Sequence, residues 1–185
     1  MNPFWSFSRR GASWTFVGLT SSFPDLGTDA GNLAKFRICN TKAMPGCKAF
    51  QVSKENGSEP AEAVVGDEAM EGELADQVMV FQYKGKFHAT DHSCPHSSYP
   101  LSQGIPFDIE DFGVVLSAGL TCPKHGWSFD MFTGMSDRGS YKLNVWEVQL
   151  RDVKGVESSI SSGDIDGESE TTSKEVWVRR KQRIG

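Results

Sequence analysis

The sequence has no long apolar run. None of its hydrophobic stretches approaches the roughly 20 residues that a membrane-crossing helix needs, so no membrane span is expected. It also has no excess of positive charge. Its 19 Lys and Arg stand against 24 Asp and Glu, a net −5. Phosphate binding needs a basic face, which argues against a nucleic-acid partner. Cysteine is scarce: Cys39, Cys47, Cys94 and Cys122 are too few and too scattered for a small secreted disulfide scaffold. No long helical period and no solenoid-type repeat is present.

The chain does have material for a core. Its 185 residues fit one domain, and 38% are apolar, with five Trp and twelve Phe. The periodic segments are short and β-like. "DQVMVFQYKGKFHATD" reads as a hairpin turning at Gly85. "FGVVLSAGLTC" reads as a buried strand, or two, running into Cys122. "WTFVGLTS", "CKAFQVSK", "YKLNVWEVQLRD" and "EVWVRRKQ" complete the set, with the basic end of the last taken as a solvated edge. The expected fold class is all-β, with short antiparallel strands.

Residues 1–12 read as a flexible tail, 13–180 as a single domain and 181–185 as a second tail. "GVESSISSGDIDGESETTSKE" is rich in Ser, Gly and acid and buries little, so a mobile insertion is expected near 155–174, joining two strands as an overgrown hairpin. An acidic insertion, "SKENGSEPAEAVVGDEAMEGELAD", has room for a helical turn or two. Arg9, Arg10 and the lack of any acid before Asp25 leave mitochondrial import open. Ser, Arg and Gly interrupt any secretory core, and the absence of a clear signal favours the cytoplasm.

Two short stretches carry chemistry. "SCPHSSYPLSQG" sets Cys94 two positions before His96, and "TCPKHGWSFDMFTG" sets Cys122 three before His125. A thiolate and a neutral imidazole are ligands for zinc, iron and copper. Two Cys and two His suit a structural zinc, but zinc ligands usually come as Cys–Cys and His–His pairs with wider gaps. A [2Fe–2S] cluster with one iron on two Cys and the other on two His suits the alternation, each loop offering one residue to each iron. Two free thiols and two solvated histidines form the third possibility, which the repeated Cys-Pro pattern disfavours. Cys39 and Cys47 read as free thiols in or beside a strand, with a disulfide as the alternative.

These two loops resemble the cluster-binding loops of Rieske-type iron–sulfur proteins. Gly126, Trp127, Phe129, Asp130 and Gly134 fit the second loop of that pattern, and the likeness extends from about Trp14 to Val178. The resemblance implies a Rieske-like antiparallel β sandwich or barrel, with a small cluster-binding subdomain made by loops near 92–100 and 121–134. It implies one [2Fe–2S] cluster, with Cys94 and Cys122 on one iron and His96 and His125 on the other. It also implies a carrier of single electrons, with a flavoprotein reductase and an oxygenase as partner classes. A redox-sensing or accessory role is the alternative, as is a zinc domain. A complete oxygenase is not expected, because only His88 and His92 remain for a second iron site.

The departures from the pattern are informative. The spacer between the loops is longer than usual. Ser97, Ser98 and Tyr99 stand where a Gly normally follows the first His. Tyr99 and Lys124 occupy the positions at which respiratory-chain members carry a bridged pair of Cys. Trp127 replaces a Ser whose hydroxyl donates to a cluster sulfur. Fewer donors mean less stabilisation of the reduced state, so the expected potential lies low in the range of roughly −150 to +300 mV. His92 reads as a polar strand-end residue, Asp130 as a turn cap, Trp127 as a shield or core, and Lys124 as a solvating or steering charge.

Overall fold

The computed structural model describes residues 13–27, 31–39, 42–52, 60–63, 65, 74, 76–153 and 173–181. The 1–12 tail, the insertion near 155–174 except its last two residues, nearly all of the second tail and most of the acidic insertion lie outside the described residues. Thirteen strands are described. The first six are short: β1 (Thr15–Leu19), β2 (Asp25–Leu26), β3 (Phe36–Cys39), β4 (Lys42–Pro45), β5 (Cys47–Gln51) and β6 (Ala61–Ala63). The rest are β7 (Gln77–Tyr83), β8 (Lys86–Asp91), β9 (Ile105–Asp111), β10 (Val114–Cys122), β11 (Trp127–Asp130), β12 (Trp146–Asp152) and β13 (Lys174–Arg180). Two 3-10 turns, Thr20–Ser22 and Leu101–Gln103, are the only helical elements among the described residues, and none is long and apolar enough to cross a membrane.

The strands form four sheets, almost wholly antiparallel. β7 is the hub. It pairs with β5, with β8 through the hairpin at Lys84–Gly85, and in parallel with the two residues of β2. Its Val78–Phe81 run is unbroken apolar because both faces of the strand are covered there. Met79, Phe81 and Tyr83 enter a core with Leu120, Phe129, Met131 and Leu143. Val78 and Val80 enter a second core with Val17, Phe50, Trp146, Val176 and Val178. Cys94 and Cys122 are both buried, at the wall of the first core.

A three-stranded sheet of β9, β10 and β11 carries the second loop. β9 falls inside the long spacer between the two Cys-His stretches and forms a hairpin with β10 across the Phe112–Gly113 turn. The expected buried strand is therefore buried only from Ala118 onward. Val114, Val115 and Leu116 are exposed, and Phe112 at the turn is 99% exposed. β13 is not an edge strand. It lies between β1 and β12, where Arg179 pairs with Glu147 and Arg180 lies over Trp146. Its arginines are used within the sheet, because a central strand has neighbours on both sides to supply partners. Cys47 is a free thiol inside β5, and burial pushes its pKa up to about 12. The side chain of Cys39 lies outside the described residues.

Candidate cluster site

The first loop grows from β8 and is closed by its own backbone. Ser93 and Pro100 form an isolated bridge. The Tyr99 carbonyl accepts from the Cys94 N–H at 2.9 Å, and the Cys94 carbonyl accepts from the Ser98 N–H at 2.8 Å. Closing so tight a turn drives Ser98 to φ +53, the left-handed region that favours Gly or Asn. The turn that a Gly would make next to the first His is thus made here by a Ser. The root of the loop is held by His92. Its ring nitrogens lie 2.8 Å from Gln77 Oε1 and 2.8 Å from Ser102 Oγ, and the residue is fully buried. Burial lowers its pKa to about 4. His92 is therefore a core anchor, satisfied on both sides, where a strand-end residue was expected.

The second loop is the β10–β11 hairpin. Cys122 and Trp127 form the last cross-strand pair, and Pro123–Gly126 make the turn. Gly126 has φ +69, which brings its N–H to the Cys122 carbonyl at 3.0 Å. Asp130 ends the hairpin as expected. Its Oδ1 accepts from the backbone N–H of Phe132 and Thr133 and from the Thr133 hydroxyl, while Oδ2 accepts from Ser117.

These loops bring all four predicted ligands together at one end of the fold. The two thiols face each other, and their ionisation is linked. A hydrogen bond from the Cys122 thiol pulls Cys94 down to about 5 despite burial. The same contact, with burial, pushes Cys122 up. The Ser97 hydroxyl is buried and finds no hydrogen-bond partner, yet lies close enough to both sulfurs to favour their ionised forms. The imidazoles form a second pair, with His96 and His125 ring centroids 5.1 Å apart. His125 is exposed and His96 half-buried.

The decisive local feature is His96 Nδ1, which is buried and has no hydrogen-bond partner. A buried imidazole nitrogen without a partner is costly unless something else satisfies it. Among the described residues, no three His, Cys, Asp or Glu side chains gather as a single metal ion would need. Two paired sulfurs and two paired imidazoles, one of them with an unsatisfied nitrogen, fit a group with two metal ions.

A third wall went unpredicted. Residues 134–141 fold over the second loop. Asp137 and Ser128 exchange backbone and side-chain bonds at 2.9 and 3.1 Å, and Arg138 donates to the Gly126 carbonyl at 2.9 Å. Tyr141 then meets His96 edge-on at 5.2 Å, while Trp127 stacks on the same imidazole at 4.3 Å. Trp127 is thus the flat support of His96. The turn-rich "TGMSDRGS" held the signal for this wall, but nothing in it named the face it covers. Lys124 lies with Nζ 5.5 Å from the Tyr99 ring centroid. The two positions where respiratory-type members place a bridge are therefore in contact here, through a cation–π pair.

Comparison with known proteins identifies the family. A human Rieske domain-containing protein (Homo sapiens) is 40% identical over 58 residues, 31% of this chain and 34% of that protein. A 4β-methylsterol monooxygenase of Methylococcus capsulatus is 41% identical over 46 residues, 25% of this chain and 10% of that enzyme. The matches thus span about a third and a tenth of those relatives' lengths. Two solved structures are also matched. A chain from the complex of reduced oxygenase and oxidised ferredoxin in carbazole 1,9a-dioxygenase has 25% identity and a TM-score of 0.36, covering 58% of this chain and 75% of that one. The putative NADH-dependent nitrite reductase small subunit from Mycobacterium tuberculosis has 14% identity and a TM-score of 0.44, covering 90% and 95%. The Rieske [2Fe-2S] domain model matches residues 43–145, more than half of the chain and both Cys-His loops. The chain belongs to the Rieske [2Fe–2S] domain family, and its cofactor is a [2Fe–2S] cluster.

Proposed function

We propose that this protein is a small carrier of single electrons, with Cys94 and Cys122 holding one iron of the cluster and His96 and His125 the other. The single observation that carries the ligand set is the buried, unpartnered Nδ1 of His96 beside two linked thiols. When bound, the cluster supplies a one-electron redox centre near the potential of mixed Cys–His ligation. The chain supplies the rest. The two hairpin-like loops fix the spacing of the four donors. Trp127 and Tyr141 hold the His96 ring in one orientation. His125 and the Pro123–Gly126 turn stay exposed, so one imidazole edge is presented at the tip to a partner. A flavoprotein reductase as donor and an oxygenase as acceptor are the partner classes proposed.

The test starts with the purified protein. Two irons and two acid-labile sulfides per chain, visible absorption and a reduced-state EPR signal are expected. Cys94→Ser, Cys122→Ser, His96→Ala and His125→Ala should each lose the iron. A colourless protein with stoichiometric zinc would overturn the reading. His96→Cys or His125→Cys, where a cluster assembles, should lower the midpoint potential by restoring thiolate charge. Pull-down with reduced protein, followed by electron-exchange assays on any flavoprotein or oxygenase recovered, tests the partner classes.

A further inference from the structure

Away from the cluster loops, a cleft of about 110 Å³ opens between the β7–β8 hairpin and the β9–β10 hairpin. A water needs roughly 10–15 Å³ of such space, so the cleft holds several waters or a small organic molecule. Three features mark it as built for a ligand. The first is His88. It is 5% exposed, it lines the cleft, and its Nε2 is buried with no hydrogen-bond partner. It stacks on Phe81 and meets Phe132 edge-on, so its ring is fixed in place. Burial, and then the Lys86 charge, lower its pKa to about 4 against the opposing pull of Asp130, so the ring is neutral near pH 7 and able to carry its proton on Nε2.

The second feature is charge. Lys86 lies on the same strand face as His88, two residues and about 7 Å away. It makes no ion pair among the described residues, its ammonium lying 5.5 Å from the Phe132 ring centroid. Lys84, the other lysine of the cleft, is paired with Asp108, which also accepts from the Tyr83 hydroxyl at 3.1 Å. The nearby Asp130 has both oxygens occupied by Ser117, Phe132 and Thr133. Of the charged side chains that line the cleft, Lys86 is the one without an ion-pair partner among the described residues, while the nearby Asp130 carboxylate, held by neutral donors, stays negative. The third feature is the apolar wall of Val115, Leu116 and Phe132. A register shift between Val115 and Ser117 marks a bulge in β10, a device that re-aims side chains.

We propose that this cleft binds a small organic monocarboxylate with an apolar body, its carboxylate set between the Lys86 ammonium and His88 Nε2–H and its body against Val115, Leu116 and Phe132. The site is separate from the four cluster ligands. Its back wall is tied to the cluster hairpin through the Ser117–Asp130 hydrogen bond, at the end of β11.

The test is 19F NMR titration of the cluster-loaded protein with 4-fluorobenzoate. 4-Fluorobenzyl alcohol and 4-fluorobenzylamine carry the same ring without the negative charge. A saturable shift with the benzoate is expected, at least tenfold weaker with the alcohol and absent with the amine. Lys86→Met and His88→Leu should each weaken the benzoate at least tenfold, with the visible circular dichroism of the cluster unchanged. Lys86 is exposed, so Lys86→Met keeps the test decisive should His88→Leu fail to fold. No saturable shift, equal binding of the alcohol, or unchanged affinity in Lys86→Met would each overturn the proposal.

Discussion

Ser97 carries a hydroxyl placed to tune the potential. Sequence comparison with the respiratory type pointed to a lost hydroxyl, since Trp127 replaces the Ser after Gly126. The fold places another hydroxyl at the sulfurs, on the first loop, where it is buried and otherwise without a partner. A hydrogen bond to sulfur favours the more negative, reduced state. Ser97→Ala should therefore lower the midpoint potential, by ~40 mV if the bond is worth ~1 kcal/mol in a one-electron couple. Redox titration with an unchanged visible spectrum checks this, and an unchanged potential would remove Ser97 from the tuning set. The four proposed ligands stood out as candidates because Cys-x-His and Cys-x-x-His constrain chemistry locally, and the resemblance of the loops then implied their assignment to the two irons. His92 was not readable. Its role as a buried anchor needs Gln77 and Ser102, 15 and 10 residues away, and both are ordinary polar residues in the sequence.

At the scale of elements, the third wall of the site rests on Gly134. A Cβ there would lie 2.0 Å from the Leu143 carbonyl oxygen, and its φ of +74 also disfavours a side chain. Its N–H donates to Asp130 and its carbonyl accepts from Leu143, both at 2.8 Å. Gly134→Ala should cost about 1–3 kcal/mol or more, since the clash is with backbone. The 134–141 segment should then lift from Trp127 and Tyr141 from His96. Denaturant midpoints and the cluster's EPR line shape measure the two effects separately, and a variant indistinguishable from wild type in both would contradict this account. The β7–β8 hairpin was legible from its Gly85 turn and the runs rich in Val, Phe and Tyr on either side of it. β9 was not, because "IPFDIED" reads as a polar spacer until β10 lies beside it. The outer half of β10 shows the converse. Val114, Val115 and Leu116 have strand propensity and apolarity, but the hairpin extends beyond the core there, so they meet solvent.

For the whole molecule, the clearest expectation concerns acid. His88 has a folded pKa of about 4, below its ordinary 6.5, because burial and Lys86 disfavour the charged ring while Asp130 favours it. Between those values the unfolded chain binds a proton that the folded chain does not, so stability falls as pH falls from about 6.5 toward 4. His88 alone should remove about 2 kcal/mol between pH 7 and pH 5. Urea midpoints over that range should drop for wild type, and His88→Leu should make the slope shallower, leaving the contribution of buried His92, whose pKa is also lowered to about 4. An equal slope in the variant would assign the acid sensitivity elsewhere. By itself the sequence determined the all-β class and the family, and it singled out the four candidate ligands. Strand period, turn residues and metal-ligand spacing act over a few residues and need no fold to be read. Only the tertiary structure decided that β7 serves two cores and that β13 runs through the middle of its sheet. It alone placed Trp127 and Tyr141 around His96 and left His88 facing an open cleft. Each of those depends on which distant segments pack together, and that is a property of the filled core, not of any short stretch of chain.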